Sequence, residues 1–337
     1  MIGQQRYAGL LVSMILLVLL MMACGAGSTD IPTVTAPSVT TPTQEPPFES
    51  PMATAFDSPL SPPSPPAGRI LFHSDMGGDF EVYVMNADGS ELQKLTEAAG
   101  DDVEPIWSPD TSQIAFSSKR DGNHEIYAMD ADGSNPHRLT DNQATEWGPT
   151  WSHDGTEIAF ASDRNGKMQL FVMNIDGSDP RALGPADQTI GWAPAWSPTR
   201  DEIVFVSDRD GESNLYLLQI ETGEVTQLTF HEFPAERPSW SPDGEQLVYM
   251  AAKEQRGILD PDEIYVITRL GDEQRQLTDN IVGDITPAWS PDGEWIVFSS
   301  NREDGWNLFI MPVSGEKDGL IKVTENAGWN RGPSWGP

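Results

Sequence analysis

The chain has 337 residues, and 52 Asp plus Glu against 20 Lys plus Arg give a formal net charge of −32. A field of that sign repels a nucleic-acid backbone, so no nucleic-acid partner is expected. Hydrophobic residues at 38% suffice for a core, 30 Gly and 28 Pro argue against an all-helical fold, and 1 Cys allows neither an internal disulfide nor a Cys-based zinc site.

Residues 1–24 read MIGQQRYAGLLVSMILLVLLMMAC, with Arg6 the only charged side chain ahead of an uncharged run from Tyr7 to Ala23. The run is short for a bilayer span and predicts a secretory signal over residues 1–23. Its end, Leu20, Met21, Met22, Ala23 and Cys24, resembles the lipobox of bacterial lipoproteins, with Met21 standing where Leu is usual. The resemblance implies a diacylglyceryl group on Cys24; the alternative is an uncleaved anchor helix. Either places the remainder outside the cytoplasm, attached to a membrane. Two or three acyl chains, at about 0.8 kcal/mol per buried methylene, hold a protein there durably. Residues 24–68 are the expected linker: Gly25 to Gly68 contain 11 Pro and no Lys or Arg, too polar to offset chain entropy and suited to an extended spacer.

From Arg69 the chain repeats. Pro-x-Trp recurs at Pro105/Trp107, Pro149/Trp151, Pro194/Trp196, Pro238/Trp240, Pro287/Trp289 and Pro333/Trp335. Each copy adds an apolar run ending in an aromatic (Ile114 to Phe116, Ile158 to Phe160), a second run about ten residues on (Ile126 to Met129, Leu170 to Met173), and a short stretch ending near Leu139 or Leu183. Runs of this length between turn residues predict strands. SerProAspGly at Ser241 to Gly244 and Ser290 to Gly293 joins strands one and two, and AspGlySer at Asp88, Asp132 and Asp176 joins strands three and four. Four short antiparallel strands cannot bury both faces alone, so the copies are expected to stack around an axis. The folded region opens at a second strand (Arg69 to Ser74) and closes on a first strand (Pro333 to Trp335). The predicted fold is therefore all-β, a six-bladed propeller over residues 69–337 in which the C-terminal strand completes the first blade. The repeat tryptophans are expected between blades.

These units resemble the TolB-type propeller repeat, PxWSPDGxxIAFxSxRxGxxxIYxMxxDGxxxxxLT. The fourth blade reads PAWSPTRDEIVFVSDRDGESNLYLLQIETGEVTQLT, with Thr199 and Arg200 in place of AspGly. The resemblance covers residues 69–337 and implies a propeller working in the cell envelope with a protein partner. The α/β domain that precedes the propeller in TolB has no counterpart expected here, and propellers host many unrelated tasks.

No GxSxG, HExxH, Walker A or GxGxxG motif occurs, and no catalytic residue is assigned. The five histidines, His73, His124, His137, His153 and His231, occupy different repeat positions and are expected at surfaces or turns, without a shared metal. The AspGlySer segments lack the distal ligands of a calcium loop and read as hairpins. No cofactor is expected. Loops two-three and four-one share one rim and are the longer and more varied, including residues 251–262, so this face is the candidate site. Trp147 and Trp192 lie two residues before the repeat proline, Trp329 two further back, and the Trp147 position holds Val103, Glu236, Ile285 and Arg331 elsewhere. With Phe233, Arg237 and Trp306 they predict an aromatic and charged rim for an envelope or surface protein, on a monomeric, non-enzymatic scaffold. The alternative is a carbohydrate-binding or polysaccharide-lyase-type propeller, in which the tryptophans stack on sugar rings.

Overall fold

The computed structural model describes residues 66–184, 190–252, 254–255, 258–259, 261–325 and 328–337. The signal segment, Cys24 and the linker as far as residue 65 lie outside the described residues, as does part of the 251–262 loop.

Six four-stranded antiparallel sheets, with a small two-stranded ladder of Glu254–Gln255 and Ile258–Leu259, make up the described folded region. Blade 1 joins Asn330–Gly336 to Arg69–Ser74, Glu81–Asn86 and Gln93–Lys94. Blades 2 to 6 begin at Asp102–Trp107, Glu146–Trp151, Trp192–Trp196, Ala235–Trp240 and Asp284–Trp289, and each ends in a strand of two or three residues. The ring closes as the repeat count requires: Arg69 pairs with Gly336, Ile70 with Trp335 and Leu71 with Ser334, leaving no open edge between the two ends.

The middle strands explain why blades must stack. Five of six residues are buried in both Arg69–Ser74 and Glu81–Asn86, and the pattern recurs in later blades. A strand whose successive residues point to opposite faces can be buried throughout only if another sheet covers each face. The core is accordingly six interblade layers. The layer between blades 6 and 1 holds Ile70, Phe72, Val297, Leu308, Ile310 and Trp335, so the closing interface packs like the others. The repeat tryptophans Trp151, Trp196, Trp240, Trp289 and Trp335 are buried in these layers, with Trp107 packed against the layer between blades 1 and 2.

Turn chemistry fixes the register. The Ser241 hydroxyl donates to Asp243 at 2.6 Å, and Ser152 donates likewise to Asp154 at 2.7 Å, which with Thr156 draws the Asp154 carboxyl down to about 2. In the AspGlySer hairpins the Asp88 carboxylate accepts from the Ser90 amide at 2.9 Å and hydroxyl at 2.6 Å, so its acceptor sites serve the turn. A lock not foreseen in the sequence is a threonine two residues beyond the outer strand in five of the six blades: Thr96, Thr140, Thr229, Thr278 and Thr324 accept a third-strand amide at 2.8–2.9 Å, and blade 3 has Gly184 at that position. Thr96 and Thr278 then donate to buried Glu81 and Glu263 at 2.6 Å.

A second unforeseen lock is the arginine after strand two. Arg120, Arg164 and Arg302 lie 4.6, 4.5 and 5.1 Å from the ring centres of Tyr127, Phe171 and Phe309. Each pairs at 2.8–3.0 Å with a fully buried first-strand carboxylate, Asp102, Glu146 or Asp284. A buried carboxylate needs such a partner, and the guanidinium supplies charge and planar stacking together.

Candidate functional site

The innermost strand of each blade carries a bulge. Between Val103 and Ile106 the pairing register slips, so that Glu104 and Pro105 face one residue of the next strand, and the other five blades slip at the same place. The residue before each repeat proline is consequently left-handed: Glu104, Gly148, Ala193, Arg237, Thr286 and Gly332 have φ between 48° and 60°. Four of these are not glycine, and such a backbone is held only by surrounding structure. The six residues ring an axial cavity of about 320 Å³, lined further in by the Pro-x-Trp strands.

Two of the ring positions are charged. Arg237 in blade 5 forms an ion pair with Glu104 in blade 2, three blades away and therefore across the axis. Thr286 accepts the Gly332 amide at 3.3 Å and shares a hydroxyl bond with Ser299 at 2.9 Å. Beneath this ring His73 is buried, and its Nδ1 receives the Glu104 amide at 3.4 Å. A Cβ on Gly332 would stand 2.7 Å from the His73 ring, so glycine is required there by contact as well as by φ. Burial lowers the His73 pKa to about 4; Glu104 opposes the shift, and Arg237 and Arg331 reinforce it. The expectation of a surface or turn position is corrected for His73, which lies within a strand between blades.

The residues expected on the rim separate into distinct settings. Trp306 and Trp329 lie on either side of Arg331, whose guanidinium carbon is 4.7 and 4.9 Å from their ring centres. Trp329 is 48% exposed and Trp306 half-buried. Trp147 meets His124 edge to face at 4.5 Å. Trp192 packs on the layer of Val206, Leu215 and Ala235 between blades 4 and 5. Phe233 and Glu236 are half-buried, and the Glu236 charge adds to burial in raising the Asp262 pKa. The structure thus brings Trp306, Trp329 and Arg331 together and takes Arg237 to the axis. Glu104, His73 and Thr286 were missed. The signal lay one residue further on than the position compared across copies: only Glu104 and Arg237 are charged among the six residues directly preceding a repeat proline.

Among the described residues, no group of three or more His, Cys, Asp or Glu side chains is placed to hold a metal ion.

A closed ring of six four-stranded blades, with short turns on one rim, varied loops on the other and an axial cavity, defines the class of six-bladed β-propellers. Within that class the chain belongs to the TolB beta propeller domain family, which matches residues 54–142, 105–190, 146–260 and 188–337. The fold resembles TolB from Acinetobacter baumannii, with a TM-score of 0.69, 21% identity, and coverage of 80% of this chain and 66% of that one. A TolB candidate from Agrobacterium tumefaciens aligns with a TM-score of 0.62 and 19% identity, over 81% of this chain and 100% of that one. An oligogalacturonate lyase in complex with manganese aligns less closely, with a TM-score of 0.52, 17% identity, and coverage of 77% and 74%. At these identities the likeness is one of fold, and this chain spans just under two thirds of the Acinetobacter protein. No curated protein sequence matches the chain.

Proposed function

We infer that this protein is a lipid-anchored, extracytoplasmic scaffold that binds another protein of the envelope or cell surface on its loop-rich face and catalyses no reaction. The observation that carries the reading is the Trp306, Arg331 and Trp329 stack: two indoles and a cation, partly open to solvent, on the rim where the long loops gather. Aromatic and arginine side chains in that setting are the usual anchors of protein interfaces. A carbohydrate-active site would ask for several rings along one groove beside paired carboxylates. Here Trp147 rests on His124 and Trp192 lies in an interblade layer, which favours docking over sugar stacking.

Crosslinking on intact cells tests the reading. The Trp147→Ala/Trp329→Ala variant, with its fold verified by circular dichroism, is expected to lose the partners captured by the unaltered protein. An unchanged set of partners would place the dock elsewhere. In the same cells Cys24→Ser is expected to release the protein from membranes; retention would favour an uncleaved anchor helix.

A further inference from the structure

Most arginines near the axis or the blade edges have an acid: Arg120, Arg164, Arg237 and Arg302 each hold a carboxylate. Arg331 does not. Among the described residues its guanidinium makes no hydrogen bond or ion pair, although the chain carries 52 acidic residues. Its Nε is sealed from solvent without an acceptor, whereas the terminal amino groups keep solvent access. Asp75, the carboxylate whose charge reaches Arg331, makes no direct contact with it and accepts the Trp329 amide at 2.7 Å. Burial lowers the Arg331 pKa, with the Asp75 charge opposing and Arg237 reinforcing the shift, yet guanidinium remains a cation at neutral pH.

We propose that Arg331, clamped between Trp306 and Trp329, is a subsite for a single carboxylate of a protein partner, carried on a segment with little other negative charge. The two indoles restrict the orientation of the guanidinium, so that its free N–H groups present a preset pair of donors, the geometry that a carboxylate takes up with both oxygens. They also supply apolar walls suited to an aromatic or aliphatic side chain beside that carboxylate. The formal charge of −32 sets the limit on the ligand. Charges within a Debye length of about 8 Å at physiological ionic strength act on whatever docks, so a polyuronate or acidic tract accumulates repulsion that one carboxylate escapes. The inference rests on the docking reading only for the source of the ligand.

The test uses the full chain labelled with ¹⁵N, following the indole N–H signals assigned through Trp306→Phe and Trp329→Phe. Acetyl-Gly-Phe with a free carboxylate is expected to shift both signals saturably, and acetyl-Gly-Phe-amide to leave them in place. Arg331→Gln is expected to weaken the acid peptide tenfold or more, the scale of a charge-assisted pair. Equal responses to acid and amide, no response to either, or tighter binding of trigalacturonate than of the acid peptide would overturn the proposal. If Arg331→Gln fails to fold, the comparison of acid with amide on the unaltered protein decides. Absence of a carboxylate response in the unaltered protein, while the crosslinked partners still depend on Trp147 and Trp329, would sink this subsite and leave the docking face standing.

Discussion

Arg302 shows how single side chains hold a blade rigid. Its Nη2 meets both oxygens of Asp284 at 2.8 and 2.9 Å, and the guanidinium lies 5.4 and 5.1 Å from the centres of Phe298 and Phe309. Asp284 is fully buried, so Arg302→Ala strands a carboxylate. Urea unfolding is expected to show a loss of about 3–5 kcal/mol, and Arg302→Lys to restore only part of it, because an ammonium can hold Asp284 but neither stacks on the two rings nor reaches Ser300 and Glu316 at the same time, as Nε and Nη1 do. A loss below about 1 kcal/mol would mean that the pair is incidental. His73 gives the pH dependence. Its folded-state pKa of about 4 lies below the ordinary 6.5, so between these values the unfolded chain binds the proton and the folded one does not. Its contribution is complete above about pH 6.5, falls as pH drops, and levels off below 4. From pH 7 to pH 5 it amounts to about 2 kcal/mol of lost stability. His124 and His231, also lowered by burial, act in the same direction. Denaturant titrations of His73→Asn at the two pH values are expected to show a pH-dependent loss smaller by about 2 kcal/mol; an unchanged loss would remove His73 from the account.

At the scale of the element, the hairpin glycines have a role beyond the turn. Gly177 has φ 82°, and a Cβ there would stand 2.4 Å from the Leu139 carbonyl oxygen of the preceding blade. Gly89 meets Val323 at the same 2.4 Å, and Gly133 and Gly271 approach Leu95 and Leu228 at 2.9 and 2.8 Å. Gly166, with φ 86°, has nothing within 4 Å of an added Cβ. Gly166→Ala is therefore expected to cost only the left-handed backbone term, about 1–2 kcal/mol, and Gly177→Ala about 2 kcal/mol more. Equal midpoints in thermal unfolding would contradict the interblade contact. AspGly at Gly89, Gly133 and Gly177 was readable as a tight hairpin, since only local φ decides it. The contact with the neighbouring blade was not, because it depends on how far apart two sheets pack. The innermost strands show the same division. Pro-x-Trp marked them plainly, but the bulge that turns the pre-proline residue left-handed appears only once the register against the next strand is known.

For the whole molecule, closure decides stability. Deleting residues 330–337 removes the strand paired with Arg69–Ser74 and opens blade 1 along its inner edge, and it also strips Trp335 from the layer shared with blade 6. The truncated protein is expected to aggregate or to lose at least about 5 kcal/mol, the low end of what a domain has in total. Size-exclusion chromatography and urea unfolding check this, and a wild-type midpoint would mean that the tail is dispensable. What the chain determined by itself was periodic and local: apolar runs, turn dipeptides and six Pro-x-Trp copies are each a property of neighbouring residues, and their repetition leaves a ring as the arrangement that buries both faces of every blade. What only the tertiary structure decided was which singular residues meet. Glu104 and Arg237 pair across the axis from positions 133 residues apart, and Arg331 comes to lie between Trp306 and Trp329. Such encounters depend on blade spacing, strand register and the direction each side chain takes at a bulge, and none of these is encoded by any one segment.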